Sequence, residues 1–506
     1  MRPVLEFLSS RVLKLSLRNY SLCILCALLL ILSFPDFNLW ICAWFGFLPL
    51  FFVLEGKNRI KAFLFSYFTG VIFWAGTIYW LIHVTLPGTV ILILYLALYF
   101  GFFGLIVSCS GPLTLRFTLL IPSAWVLLEY LRSHLLTGFP WALLGYSQYL
   151  NLPVIQIADI TGVWGVSFLV MLVNAAVYSV LGSRFSVLRK KQIFLLSLSC
   201  VLLSLIYGYY RIYRTPNTEH RTPIKISVIQ ANIPQEMKWD ARVKDFIFGE
   251  YFALTRQAAA DKPDLIIWPE AASPAILEEE AVYFDRLKAF TRQIHTPLLL
   301  GAVVSEDSFY FNSALLLSKE GSALGRYDKL HLVPFGEYIP LKNIFGFLQT
   351  VVPIGEVAFG KDYTIFQLST VNRQPSTNFA VLICFEDLFP ELSREFSRRG
   401  ADFLVNITND AWYKKTSAPY QHLQASVFRA VENRLPLARA ANTGVSAFIS
   451  PQGRIISLAA FTKGYKTIDI ALAGKNRAFY TRYGDIFIFA CLIFVLYGII
   501  PAFLKR

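Results

Sequence analysis

At 506 residues the chain exceeds the usual size of one domain, and 55% hydrophobic against 16% charged residues, with a mean hydropathy of +0.51, excludes an ordinary soluble globule. The formal charge of +14 is unevenly spread: residues 222–476 hold 27 Lys and Arg against 26 Asp and Glu, leaving 20 against 7 elsewhere. A near-neutral polar half argues against a polynucleotide partner and assigns the basic excess to membrane flanks.

In chain order, apolar segments over 20–34, 39–54, 62–83, 88–109, 113–131, 159–182, 193–212 and 483–503 give eight candidate spans. The first two are short for a bilayer needing about 20 residues and are interrupted by Pro35, Asp36 and Asn38, so tilted or interfacial helices are expected there. Residues 1–19 carry Glu6 and scattered basic residues with no small-residue cleavage pattern after them, which reads as a retained first span. With a cytoplasmic N-terminus, that side collects Arg11, Lys14 and Arg18, then Lys57, Arg59 and Lys61, then Arg189, Lys190 and Lys191, then Lys505 and Arg506; the opposite short loops collect only Arg132. The expected layout is a bundle of seven spans over 1–212, an extracytoplasmic domain over 222–476, and an eighth span over 483–503. The bundle has few ionisable residues, among them His83, Glu129 and Asp159, which favours a scaffold and lipid-access role over transport. The stretch TGFPWALLGYSQ, Thr137 to Gln148, reads either as an interfacial or re-entrant segment with aromatics at headgroup depth or as a plain aromatic belt.

From Thr222 the pattern changes to short apolar runs alternating with amphipathic stretches. Strands are expected at Lys225–Gln230, Asp264–Trp268, Pro297–Val303, Ser313–Leu317, Phe379–Cys384, Asp402–Ile407, Leu437–Ala441 and Ser446–Ser450. Helices are expected over about 240–260, 279–294, 388–399 and 420–434, giving an α/β layered domain. Six of the seven cysteines lie in apolar segments and read as packing residues; Cys384 alone belongs to the polar half. An extracytoplasmic thiol without a partner is a liability unless it is used. No HExxH or Cys/His cluster with ligand spacing is present there, so neither metal nor cofactor is expected.

Three strand ends carry reactive groups. Glu270 follows Trp268-Pro269, where proline stops the ladder; Lys329 lies in RYDKLHLVPFGEYIP with Glu337 eight residues on; and Cys384 closes the run FAVLI, followed by Glu386 and Asp387. A carboxylate can take the proton of a thiol, and an ammonium can stabilise the thiolate and a developing oxyanion. A histidine base is the other cysteine scheme, and His331 and His422 are available for it. Between Leu341 and Gly360, LKNIFGFLQTVVPIGEVAFG reads either as a loop that dips into lipid and gates acyl chains, where charge at Phe345 or Phe347 would impair lipid turnover, or as a packing loop.

The ordered stretches WPE, YDKLHLVPFGEYIP and ICFED resemble the Glu-Lys-Cys motifs of the nitrilase superfamily of carbon–nitrogen hydrolases. With QANIPQEMKWD, TNDAWY, PYQHLQASVFRAVENRLPLARAANTGVSAF, TGFPWALLGYSQ and the membrane bundle, nearly the whole chain resembles the apolipoprotein N-acyltransferase family. That resemblance implies a polytopic α-helical bundle joined to a nitrilase-like α-β-β-α sandwich in a bacterial inner membrane, working as a monomer. It implies a ping-pong acyl transfer from a phospholipid, through a Cys384 thioester, to the N-terminal amine of a diacylglyceryl-modified apolipoprotein. It assigns Glu270 as base, Lys329 with the Phe385 backbone N–H as oxyanion stabilisers, and Trp239, Glu337 and Glu386 as supporting residues. Phe385 stands where well-known members carry tyrosine, which puts a hydroxyl role at that position in doubt. A membrane-anchored amidase acting on small amides and a catalytically dead scaffold are the competing readings; eight spans exceed what an anchor needs, and the intact Glu270, Lys329 and Cys384 set argues against the scaffold.

Overall fold

The computed structural model describes residues 2–109, 115–182, 187–213, 222–238, 240–334, 336–338, 357–368, 376–472, 474 and 477–504, with side chains described outside 2–16, 115–117 and 498–504. The chain divides into two compact units, residues 1–210 with 485–506, and residues 211–484.

The first unit is helical. Its elements are α1 (Arg2–Leu32), α2 (Leu48–Leu54), α3 (Arg59–Thr77), α4 (Leu86–Cys109), α5 (Leu115–His134), α6 (Val163–Leu181) and α7 (Val187–Tyr213), and a last helix, Ile486–Leu504, packs on α5. Four of them, α3, α4, α6 and α7, are long and apolar enough to cross a membrane. The apolar run over 39–54 is not one helix: a 3₁₀ turn, Trp40–Trp44, precedes the seven-residue α2, which has Pro49 in its first turn. Helix α3 starts where the Asn58 side chain accepts from Lys61 N–H at 2.9 Å, and it runs tightly against α4 because Gly104 has no side chain. A Cβ there would lie 2.1 Å from Ser66 Oγ and 2.6 Å from the Ala62 carbonyl. Cys23 and Cys26 are fully buried and unpaired, as packing residues are.

The stretch from Thr137 to Gln148, whose membrane depth the sequence readings leave open, lies largely in the interior of this unit. Trp141 and Tyr146 are buried, and the whole run 140–149 is enclosed. Polar side chains of the unit satisfy its backbone: Arg132 donates to the Phe139 and Trp141 carbonyls at 2.6 and 2.8 Å, Leu144 N–H reaches Glu129 at 2.6 Å, and Gly145 N–H reaches Ser167 at 2.8 Å. Arg132, read from sequence as a loop charge, is instead a buried residue of α5 whose guanidinium lies 4.8 Å over the Trp74 ring.

The second unit contains β1 (Ile224–Gln230), β2 (Leu265–Ile267), β3 (Leu298–Glu306), β4 (Phe309–Leu317), β5 (Ala323–Asp328), β6 (Phe366–Leu368), β7 (Thr377–Ile383), β8 (Phe403–Thr408), β9 (Leu437–Ala441), β10 (Ala447–Ile449), β11 (Ile455–Ser457) and β12 (Gly464–Ile470). They form two six-stranded sheets, ordered β12-β1-β2-β3-β4-β5 and β11-β10-β9-β8-β7-β6, which meet through β1 with β9 and β4 with β7. In each sheet three strands run parallel, β1-β2-β3 and β7-β8-β9. Helices α8 (Lys244–Ala259) and α9 (Ala281–Ile294) connect the first trio, and α10 (Pro390–Arg398) and α11 (Ala418–Asn433) the second. Phe248, Tyr251 and Phe252 of α8 and Phe290 of α9 pack with Trp268 and the first sheet in one core. Strands β7, β8 and β9 are almost wholly buried, as parallel strands covered on both faces must be. The pairing Ile383 with Ile407 and Thr408 with Ala441 brings Cys384 and Thr408 out at one sheet edge.

Candidate active site

Cys384 stands where β7 ends and a 3₁₀ turn, Cys384–Leu388, begins. Its backbone is left-handed, with φ +52°, a conformation that L side chains adopt at a cost. The surroundings hold it there: Asn406 Nδ2 donates to the carbonyls of Leu382 and Cys384 at 3.1 and 3.2 Å, and His422 Nε2 lies 3.2 Å from the same Cys384 carbonyl. Phe385 N–H falls in the first turn, where a helix leaves N–H groups without intrahelical acceptors.

Glu270 follows β2 and its bulk-limiting neighbour is Gly301 on β3. A Cβ at Gly301 would approach Ala271 N, Glu270 Cα and the Pro269 carbonyl to 2.6 Å, so the turn bearing the carboxylate lies directly on a bare backbone. Glu270 Oε1 accepts from Asn312 Nδ2 at 2.8 Å, and the same amide group donates to Glu337 Oε1 at 2.8 Å. Lys329, just past β5 and 1% exposed, places Nζ 2.9 Å from Glu337 Oε2 and 3.6 Å from Glu270 Oε1. Burial works against its charge, but the Glu337 and Glu270 carboxylates hold the ammonium well above the ordinary lysine range. Burial, and then the Glu270 charge, push the Cys384 thiol up, while Lys329 opposes them.

Glu386 joins the two halves. Its carboxylate accepts from Ile383 N–H at 2.7 Å beside the cysteine, from Leu330 and His331 N–H at 2.7 and 3.0 Å beyond Lys329, and from the Tyr327 hydroxyl at 2.9 Å. Burial pushes this carboxyl up to about 7, against those donors. The Phe385 ring lies 5.1 Å from that of Phe389 and 5.9 Å from His331, so the position is filled by aromatic packing.

The structure thus brings together Glu270, Lys329, Glu337, Cys384, Phe385 and Glu386. Trp239, Phe345 and Phe347 lie outside the described residues. His422 is placed under the cysteine rather than beside its thiol: Nε2 is 2.9 Å from Asp387 Oδ1 and Nδ1 2.9 Å from Asp410 Oδ1, and Arg439 completes the cluster by donating to both carboxylates at 3.0 and 3.3 Å. Both ring nitrogens face acceptors, which is the geometry of an imidazolium, not of a base. Asn312 and Lys238 were not foreseen. Asn312 interrupts an apolar strand and Lys238 precedes the tryptophan of a quoted motif, but nothing in their spacing shows which groups they meet.

A two-sheet α/β domain with a buried thiol, two carboxylates and an ammonium at its strand ends defines the class of the carbon–nitrogen hydrolases, and residues 225–477 match the carbon–nitrogen hydrolase family. Residues 26–176 match the apolipoprotein N-acyltransferase N-terminal domain. The chain is 40% identical over 496 residues to the apolipoprotein N-acyltransferase of Geobacter metallireducens, covering 94% of this chain and 93% of that protein, and 30% identical over 509 residues to that of Haemophilus influenzae, covering 96% of each. The chain belongs to the apolipoprotein N-acyltransferase family. A solved amidase from Nesterenkonia sp. is similar at 19% identity and a TM-score of 0.39, covering 54% of this chain and 97% of that one.

Proposed function

We propose that this enzyme moves an acyl chain from a membrane phospholipid to the N-terminal α-amine of a diacylglyceryl-modified lipoprotein, with Cys384 as the covalent carrier. The observation that carries the reading is a thiol held at a strained strand end within the field of the Glu270 carboxylate and Lys329 ammonium, in a chain that aligns with acyltransferases over nearly its full length. Glu270 takes the thiol proton as sulfur attacks the ester carbonyl; the oxyanion is met by Lys329 and the Phe385 N–H; collapse breaks the C–O bond, and the proton passes from Glu270 to the departing lysophospholipid alkoxide. In the second half the amine attacks the thioester, Glu270 takes its proton, and the thiol is restored. Glu337 and Asn312 fix Lys329 and Glu270 in register. Exposures of 8% for Cys384 and Glu270 and 1% for Lys329 keep water from the thioester, which transfer rather than hydrolysis requires.

The proposal extends to topology: eight spans, a cytoplasmic N-terminus, and the catalytic domain outside the cytoplasm, supported by the basic clusters at 57–61 and 189–191 and the near-neutral balance of residues 222–476. Intact-mass analysis of the purified protein after incubation with phospholipid tests the chemistry. A gain of one acyl chain, released by hydroxylamine and absent from Cys384→Ala, is expected; hydrolysis of small amides with no adduct would replace the acyltransferase by an anchored amidase.

A further inference from the structure

Lys238 lies in the turn that follows the 3₁₀ segment Gln235–Met237 and is 2% exposed. Its Nζ donates to the Glu270 carbonyl at 2.9 Å, its one acceptor among the described residues. An ammonium has three N–H donors, so two have no acceptor among the described residues, and a buried charge with so little compensation is expensive until a further partner arrives. Lys329 is the opposite case, claimed by Glu337 and Glu270. The site therefore holds one committed cation and one with donors to spare. Burial pushes the Lys238 ammonium down to about 8, while the Glu270 and Cys384 charges act to raise it, which places it within electrostatic reach of both. The other charged or titratable groups bearing on Cys384 are Lys329, Asp410 and Tyr413, with Glu337 behind Lys329.

Resting on the acyl-transfer reading above, we infer that Lys238 is a second cation of the site, its free N–H groups stabilising the negative charge that the reaction builds on the Cys384 sulfur and then on the attacked carbonyl oxygen. It gives up no proton in this role. The thiol proton goes to Glu270 as the S–C bond forms and the carbonyl electron pair moves onto oxygen; the pair returns as the C–O bond breaks and the alkoxide recovers the proton. The hydrogen bond to the Glu270 carbonyl orients the ammonium and explains why the cation sits at the base rather than in solvent.

The test is the pH dependence of iodoacetamide alkylation, read on the peptide carrying Cys384 in the full-length detergent-purified protein, for the parent, Lys238→Arg, Lys238→Gln and Lys238→Met. Glutamine keeps a donor for the Glu270 carbonyl without the charge, and arginine keeps the charge. Lys238→Gln and Lys238→Met are expected to move the alkylation midpoint to higher pH, slowing the reaction about tenfold at neutral pH, and to slow acyl-adduct formation from phosphatidyl donors by a similar factor, with Lys238→Arg near the parent. Parent-like profiles for Lys238→Gln, with loss confined to Lys238→Met, would reduce Lys238 to a hydrogen-bond donor and overturn the inference, as would four superimposed profiles. Absence of any acyl adduct on the parent would sink the acyl-transfer reading separately, while the midpoint shift still decides whether the Lys238 charge acts on Cys384.

Discussion

His422 carries a pH dependence that its neighbours dictate. Burial would drive the imidazole towards neutrality, but the Asp387 and Asp410 carboxylates prevail over burial and over Arg439, and its pKa rises to about 9 from about 6.5. A group whose pKa is raised on folding contributes fully below its unfolded value and loses that contribution as pH climbs through the folded one. The thermal midpoint of His422→Gln is therefore expected to fall furthest below the parent near pH 6, with the gap closing towards pH 10; a constant gap would mean that packing alone is lost. Glu386→Gln is expected to abolish acyl-adduct formation by more than tenfold, because an amide cannot accept from all four of its donors. Sequence exposed Glu270, Lys329 and Cys384 as polar groups stranded at the ends of apolar runs. It left His422 open as a base, because what decides its role is two carboxylates, 35 and 12 residues away, that only the fold gathers.

Among elements, β3 passes directly beneath the carboxylate of the site, because Gly301 lies under the Glu270 turn. Gly301→Ala is expected to displace that turn and cut acyl-adduct formation at least tenfold, with destabilisation of about 1–3 kcal/mol from overpacking; unchanged turnover in a protein of unchanged midpoint would show that the turn has room to move. The eight strands read from sequence were the ones with apolar runs, while β5, β6, β11 and β12 escaped. All four are outer strands, and β5 and β12 carry Arg326, Asp328, Lys466 and Asp469 where a buried strand would carry valine. The short 3₁₀ turns within the first unit were likewise hidden, since periodicity over 39–54 does not reveal where Gly46 and Pro49 break a helix.

For the whole molecule the proposed sidedness makes a prediction of its own. In a Cys384→Ala background, Ser308→Cys and Lys61→Cys present exposed thiols on the catalytic domain and in the first turn of α3. A membrane-impermeant maleimide applied to intact cells is expected to label the first and spare the second; the reverse pattern would invert the proposed topology. The composition already separated an apolar bundle from a near-neutral domain. The enclosure of residues 140–149 within the bundle stayed hidden because buried and lipid-facing aromatics have the same composition.

Glu386 ties the turn after β7, in one sheet, to the backbone that follows β5, in the other. In the proposed mechanism the nucleophile therefore comes from one half of the domain and its ammonium and carboxylate partners from the other half. During synthesis the earlier half emerges with a base but no thiol, and the thiol arrives without its activators until the sheets dock. On that mechanism acyl transfer would await a completed domain, since Cys384 meets Glu270 and Lys329 only across the joined sheets.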